Sequence, residues 1–109
     1  MKELSEVVVN KVCIGLDKLN DIALQMIVAD KTKKEMQIDI PLTYNEGAAK
    51  LEVMLTYCNI RVLNELEGKT IRLVKKDTLP YSLGSIYCNR FFMLGKDTRE
   101  HTLDQIMDG

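Results

Sequence analysis

The sequence predicts an α+β fold: an antiparallel sheet in β-β-β-α-β-β-α order, one main helix packed on it, and a short C-terminal helix. Three observations carry that prediction. Apolar residues alternate with a period of two from residue 11 to 42, between short polar turns. The period changes to helical spacing after Pro41. Alternation then returns at residue 69. A layer of helix on an antiparallel sheet accommodates that order.

The first strand is KVCIGL (11–16), with Val12, Ile14 and Leu16 on one face. DKLND (17–21) supplies turn residues. In IALQMIVA (22–29), Ile22, Leu24, Met26 and Val28 share one face, and the other (Ala23, Gln25, Ile27, Ala29) is also fairly apolar. That strand should be covered on both sides, or on one side by a partner subunit. After the lysine-rich turn DKTKK (30–34), EMQIDIPL (35–42) alternates again and ends at Pro41, which has no amide to give a ladder.

Thr43 and Glu46 have the spacing of a capping box, with Asn45 as a rival cap. Ala48, Leu51, Leu55 and Cys58 follow on one helical face, and Glu46 and Lys50 stand as an i,i+4 pair. The helix should stop near Asn59. VLNELEG (62–68) predicts a short helical turn closed by Gly68 in a left-handed conformation. KTIRLVKK (69–76) alternates, DTLP (77–80) reads as a turn, and YSLGSIYCNRFFML (81–94) reads as a long strand with a bulge at Gly84. Asp97 or Thr98 should cap TREHTLDQIM, docking Leu103, Ile106 and Met107.

A chain of 109 residues without linker, repeat or low-complexity segment reads as a single domain, 1–109. Its net charge of −1 provides no global field for a polyanion or an anionic membrane, so nucleic acid is not a favoured partner. Three cysteines (Cys13, Cys58, Cys88) without a Cys-x-x-Cys, and one histidine, point away from a disulfide framework or a metal site. The start, MKELSEVVVNKV, is too short in apolar residues for a signal-peptide core, and no run approaches a membrane span. The expected location is the cytoplasm, that of the host cell if the chain is phage-encoded.

Gly68-Lys69-Thr70 matches the tail of a P-loop, but the five-residue step back reaches Leu63 rather than glycine. The next residues, Ile71-Arg72-Leu73-Val74, are rich in β-branched side chains and alternate, so no helix N-terminus faces a phosphate. His101 has no serine or cysteine at a recognisable elbow and reads as an exposed helix residue. No catalytic set, cofactor motif or metal spacing emerges, and the expectation is that the chain is not an enzyme.

Two basic clusters remain: Lys31, Lys33 and Lys34 in one turn, and Lys69, Arg72, Lys75 and Lys76 along one strand. If 69–76 and 81–94 pair as a hairpin, Arg72 and Arg90 would share a face, beside Tyr81, Tyr87, Phe91 and Phe92. Guanidiniums among aromatics suit a phosphate or carboxylate. The candidate ligand- or partner-binding residues are therefore Lys69, Arg72, Tyr81, Tyr87 and Arg90.

The run from the helix through LEGKTIRLV to YSLGSIYCNRFFML resembles a group of small proteins of tailed phages and prophages. Their pattern is Leu-x-Gly-Lys-x-Ile-Arg-Val, then Ile-Gly-x-x-x-x-Asp-(Arg or Lys)-Trp-Phe. Leu66, Gly68, Lys69, Ile71, Arg72, Leu83, Gly84, Arg90 and Phe92 match it. Asn89 stands where aspartate is usual and Phe91 where tryptophan is usual, and the group's glycine-rich second and third strands are absent. The resemblance implies a phage or prophage setting. By analogy with that setting, the expected role is a non-catalytic accessory protein that binds and inhibits or sequesters a host factor, either a defence effector or a signalling nucleotide. The apolar second face of 22–29 suits a homodimer. A nucleic-acid-binding module for phage replication or recombination, and a small enzyme without a readable motif, are the alternatives.

Overall fold

A computed structural model describes residues 1–108. The α+β class holds, and the sheet is larger than expected. In chain order the elements are β1 (Lys2–Leu16), β2 (Ile22–Ala29), β3 (Glu35–Pro41) and α1 (Gly47–Tyr57). A 3₁₀ turn (Leu63–Leu66) then leads to β4 (Thr70–Lys76), β5 (Leu79–Ser85), β6 (Phe91–Met93), β7 (Glu100–His101) and α2 (Leu103–Asp108). The seven described strands form one antiparallel sheet in the order β3-β2-β1-β4-β5-β6-β7.

β1 organises the sheet, and it begins nine residues before the expected strand. Val8 to Leu16 pair with β2, while Lys2 to Val8 pair with β4. The register shifts between Val9 and Lys11. One extra residue reverses the parity of a strand. Val7 and Val9 face the core before the shift; Val12, Ile14 and Leu16 continue that face after it, opposite Met26, Leu24 and Ile22.

The larger core lies on this inner face. Val9, Leu24, Met26, Ile38, Ile71, Leu73 and Leu83 are packed beneath Met54 of α1, Cys58 at its C-terminal cap and Leu66 of the 3₁₀ turn. A second cluster forms on the outer face at the other end, where Ile106 of α2 covers Val74, Phe91 and Met93. The outer side of β2 is half-buried at Gln25, Ile27 and Ala29.

Several local expectations need correction. No Thr43–Glu46 capping box forms: Glu46 is the N-cap without a side-chain bond, and Asn45 and Glu46 both have φ of 53°. The reason is steric. Gly47 presses on β3 so closely that a Cβ there would lie 1.5 Å from the Pro41 carbonyl oxygen, and two left-handed residues make the abrupt reversal. This entry rotates the helix. Gly47, Lys50, Met54 and Cys58 are buried, while Ala48 is exposed and Leu51 and Leu55 are half-buried. Lys50 does not pair with Glu46; its Nζ donates to the Gly95 carbonyl at 2.8 Å.

Residues 81–94 form two strands, because residues 86–90 make a loop between β5 and β6. Gly84 is no bulge. It pairs in register with both Arg72 and Phe91, and a Cβ there would meet the Phe91 ring at 2.6 Å. Thr102 rather than Asp97 or Thr98 caps α2: the Thr102 amide donates to Gln105 Oε1 (2.9 Å), and the Gln105 amide to Thr102 Oγ1 (3.4 Å). His101 lies in β7, partly buried, not exposed on a helix. The turn closed by Gly68 is as expected, with φ of 87°, and β4 comes directly after it.

Candidate functional site

The five residues selected from sequence do not meet at one place. Lys69 precedes β4; its carbonyl accepts from Val9 (2.9 Å), and its charge acts on buried Cys58, whose thiol burial pushes up. Arg72 is committed internally: Nε donates to the Ser85 carbonyl (2.9 Å) and Nη2 to that of Cys88 (2.8 Å). Tyr81 lies toward the other end of β5, between the ammonium groups of Lys2 (5.4 Å) and Lys76 (5.3 Å). Tyr87 and Arg90 are exposed in the β5–β6 loop that Arg72 anchors. Arg90 is therefore not on a strand face shared with Arg72.

Sequence reasoning missed a cleft at the fork of the sheet. β1 parts from β2 at Val8 and Ala29 and continues beside β4 alone, while residues 30–34 curl back toward β3. Asp30 shapes that curl. Its Oδ1 accepts from the Thr32 amide (2.8 Å), the Thr32 hydroxyl (2.6 Å) and the Lys34 amide (3.2 Å). The Thr32 hydroxyl is the main reason that its carboxyl titrates below the usual range, with Lys75 adding a smaller push.

The resulting cleft holds about 150 Å³. Val7, Val28, Met36 and Leu73 form its apolar floor, and Ser5, Lys34, Lys75 and Thr78 bring two hydroxyls and two ammoniums to its rim. Asp30 and Glu35 also border it. Among the described residues no carboxylate lies within 4.0 Å of either ammonium. Asp30 is satisfied by its own turn, and Glu35 accepts from Asn10 Nδ2 (3.1 Å). A shallow groove continues from the cleft, with Glu3, Glu6 and Asp30 set against Lys31, Arg72 and Lys75.

Elsewhere, polar groups lock the chain between β6 and α2. Asp97 accepts from the Arg99 amide (3.0 Å), Arg99 Nε (3.1 Å) and Nη2 (3.0 Å), and contacts His101 Nε2 (3.0 Å). These bonds, the Arg99 side chain's foremost, hold its carboxyl far below the usual range. Tyr57 donates to Glu100 Oε2 (2.7 Å); burial first, then that carboxylate, push its phenol up to about 12. Burial lowers Lys50. Each of these titratable groups has a hydrogen-bond partner within the chain.

The third feature is apolar. Ile14, Leu16, Leu19 and Ile22 are 58, 60, 73 and 48% exposed at the tip of the β1–β2 hairpin. Tyr44 adjoins them: burial, then the charges of Asp17 and Asp21 in the hairpin turn, raise its phenol. The sequence contained part of this signal, since Ile14 and Leu16 of the expected face of 11–16 are exposed, while Val12 of the same face packs against the core.

Among the described residues no helix is long and apolar enough to cross a membrane, and no group of histidine, cysteine and carboxylate side chains is placed to hold a metal. Compared with protein-family models, curated proteins and solved structures, the chain has no significant match.

Proposed function

We propose that this chain is a small non-catalytic accessory protein of phage or prophage type, which binds a host protein and restrains it, and which self-associates. The aliphatic tip of the β1–β2 hairpin is the observation that supports the reading. Full burial of a leucine or isoleucine side chain stabilises by about 1.5–3 kcal/mol, so Ile14, Leu16, Leu19 and Ile22 leave roughly 4–7 kcal/mol unrealised. Clustered exposure of this kind marks an interaction surface. An anchor of that size is comparable to the lower range of association costs.

The phage setting rests on the resemblance of residues 66–92, and the host-protein target on analogy with that setting. The other classes have less support. A nucleic acid would meet Glu3, Glu6 and Asp30 wherever it met Lys31, Arg72 and Lys75. An enzyme would need a free acid or base, whereas Asp97, Tyr57 and Lys50 are each tied to a neighbour.

The test is affinity purification from host lysate with the wild-type chain and a Leu16→Glu/Leu19→Glu variant, alongside light scattering of both. A specific host protein recovered with wild type and lost with the variant is the expected result. Equal recovery from both, or none from either, overturns the reading. A wild-type species that scatters as a monomer at all concentrations removes the self-association.

A further inference from the structure

We infer that the cleft at the fork of the sheet binds a small carboxylate with an apolar body, about the size of a single six-membered ring. This goes beyond the accessory-protein reading and stands or falls independently of it.

The geometry defines the ligand from three sides. The floor is aliphatic, made by Val7, Val28, Met36 and Leu73, so the buried part of the ligand has no polar groups to satisfy. The rim supplies Lys34 and Lys75, neither within 4.0 Å of a carboxylate among the described residues. Two ammoniums and the hydroxyls of Ser5 and Thr78 complement a carboxylate head by charge-assisted hydrogen bonds. A volume of about 150 Å³ admits a ring or a short chain and is below the usual range for larger organic ligands.

The acidic neighbours sharpen the choice. Asp30 and Glu35 border the cleft, and Glu3 and Glu6 line the groove that continues from it. Lys34 and Lys75 equal Asp30 and Glu35 in number, so the lining has no formal net charge and a singly charged head is held by local hydrogen bonds from the two ammoniums, whereas a polyphosphate reaching into the groove meets further carboxylates. The signalling-nucleotide class is thus disfavoured at this position by both size and charge.

The experiment is a titration of the ¹⁵N-labelled chain with benzoate, benzyl alcohol and inorganic phosphate, read by amide shifts. Benzoate should shift the Ser5, Lys34, Lys75 and Thr78 amides saturably, with a Kd below about 1 mM. The neutral alcohol, which keeps the ring, and phosphate, which keeps the charge, should each bind at least about tenfold more weakly. Lys34→Gln/Lys75→Gln should weaken benzoate by about tenfold or more. If that variant does not fold, Lys34→Gln alone, on the exposed turn, should still weaken it severalfold. Absence of saturation with benzoate, equal binding of either comparison ligand, or unchanged affinity in a folded lysine variant overturns the assignment.

Discussion

The Arg72 guanidinium carbon stands 5.1 Å from the centre of the Phe91 ring. Gly84, between them in the sheet register, leaves room for that ring. With its bonds to the Ser85 and Cys88 carbonyls, Arg72 holds the start and the middle of the β5–β6 loop from one side chain. A residue that looks from sequence like an exposed phosphate ligand is therefore a structural clamp.

Arg72→Met should lower stability by about 2–3 kcal/mol, the scale of two charge-assisted hydrogen bonds left unmade. Arg72→Lys should recover little of that loss, because one ammonium cannot reproduce the planar fork and its stacking. Urea denaturation measures the loss, and faster amide exchange over residues 86–90 would localise it. A stability within about 0.5 kcal/mol of wild type, the scale of an ordinary surface substitution, would show that the clamp is idle.

Gly47→Ala tests the contact that sets the helix. In an unconstrained helix the change stabilises by about 1 kcal/mol. Here the added Cβ would fall 1.5 Å from the Pro41 oxygen and 2.8 Å from the Leu42 Cα, both backbone atoms that cannot rotate aside. The expected result is a loss of about 3 kcal/mol or more, since α1 must lift from β3. At exposed Ala48 the reverse change, Ala48→Gly, should cost only the intrinsic amount of about 1 kcal/mol.

Legibility in the sequence depends on range. Alternation in 22–29 and 35–41 depends on the residues themselves, and those strands begin and end where the pattern puts them. β1 was legible in part, because Val7 and Val9 are out of phase with Val12, Ile14 and Leu16, and only pairing with β2 reveals the bulge that reconciles them. The buried face of α1 depends on Gly47 meeting Pro41, a contact that no periodicity encodes. The cleft draws on Ser5, Lys34, Lys75 and Thr78, which lie on three separate stretches of chain. Its basic members were visible as clusters, but Arg72 is tied to the Ser85 and Cys88 carbonyls whereas Lys75 lines the cleft, so grouping them along one strand mixed two roles.

Turn strain gives a prediction of opposite sign. Asp77 and Thr78 have φ of 52° and 71°, the paired left-handed conformation of a two-residue hairpin, and Lys33 has φ of 64° in the β2–β3 turn. Thr78→Gly and Lys33→Gly should each stabilise the chain by about 1 kcal/mol, offset in part by the greater freedom of glycine when unfolded. Thermal unfolding reads the gain. A lower Tm for both variants would show that the threonine and lysine side chains make contacts worth more than the strain they cause.

The Asp97 lock predicts how stability responds to acid. Its folded pKa is depressed below the ordinary 3.8, chiefly by the Arg99 side chain, and the Asp30 and Asp77 carboxyls are lowered too. A carboxyl with a depressed folded pKa takes up its proton in the unfolded chain first as pH falls. The unfolded state then binds more protons, so stability rises with pH across that window. The contribution is fully present above the unfolded value and is lost progressively as pH falls through it toward the folded one. Urea denaturation repeated between about pH 2 and 6 should give a midpoint that climbs with pH and levels off above roughly pH 5. Asp97→Asn should lower that plateau and flatten the climb, because the amide keeps the shape but not the charge that Arg99 engages. The two profiles should approach one another toward the acid end, and meet only where the folded wild-type carboxyl has taken up its proton as well. Profiles that stay parallel down to about pH 2 would mean that the Asp97–Arg99 contact contributes nothing that depends on its charge, and would assign the acid response to Asp30 and Asp77 instead.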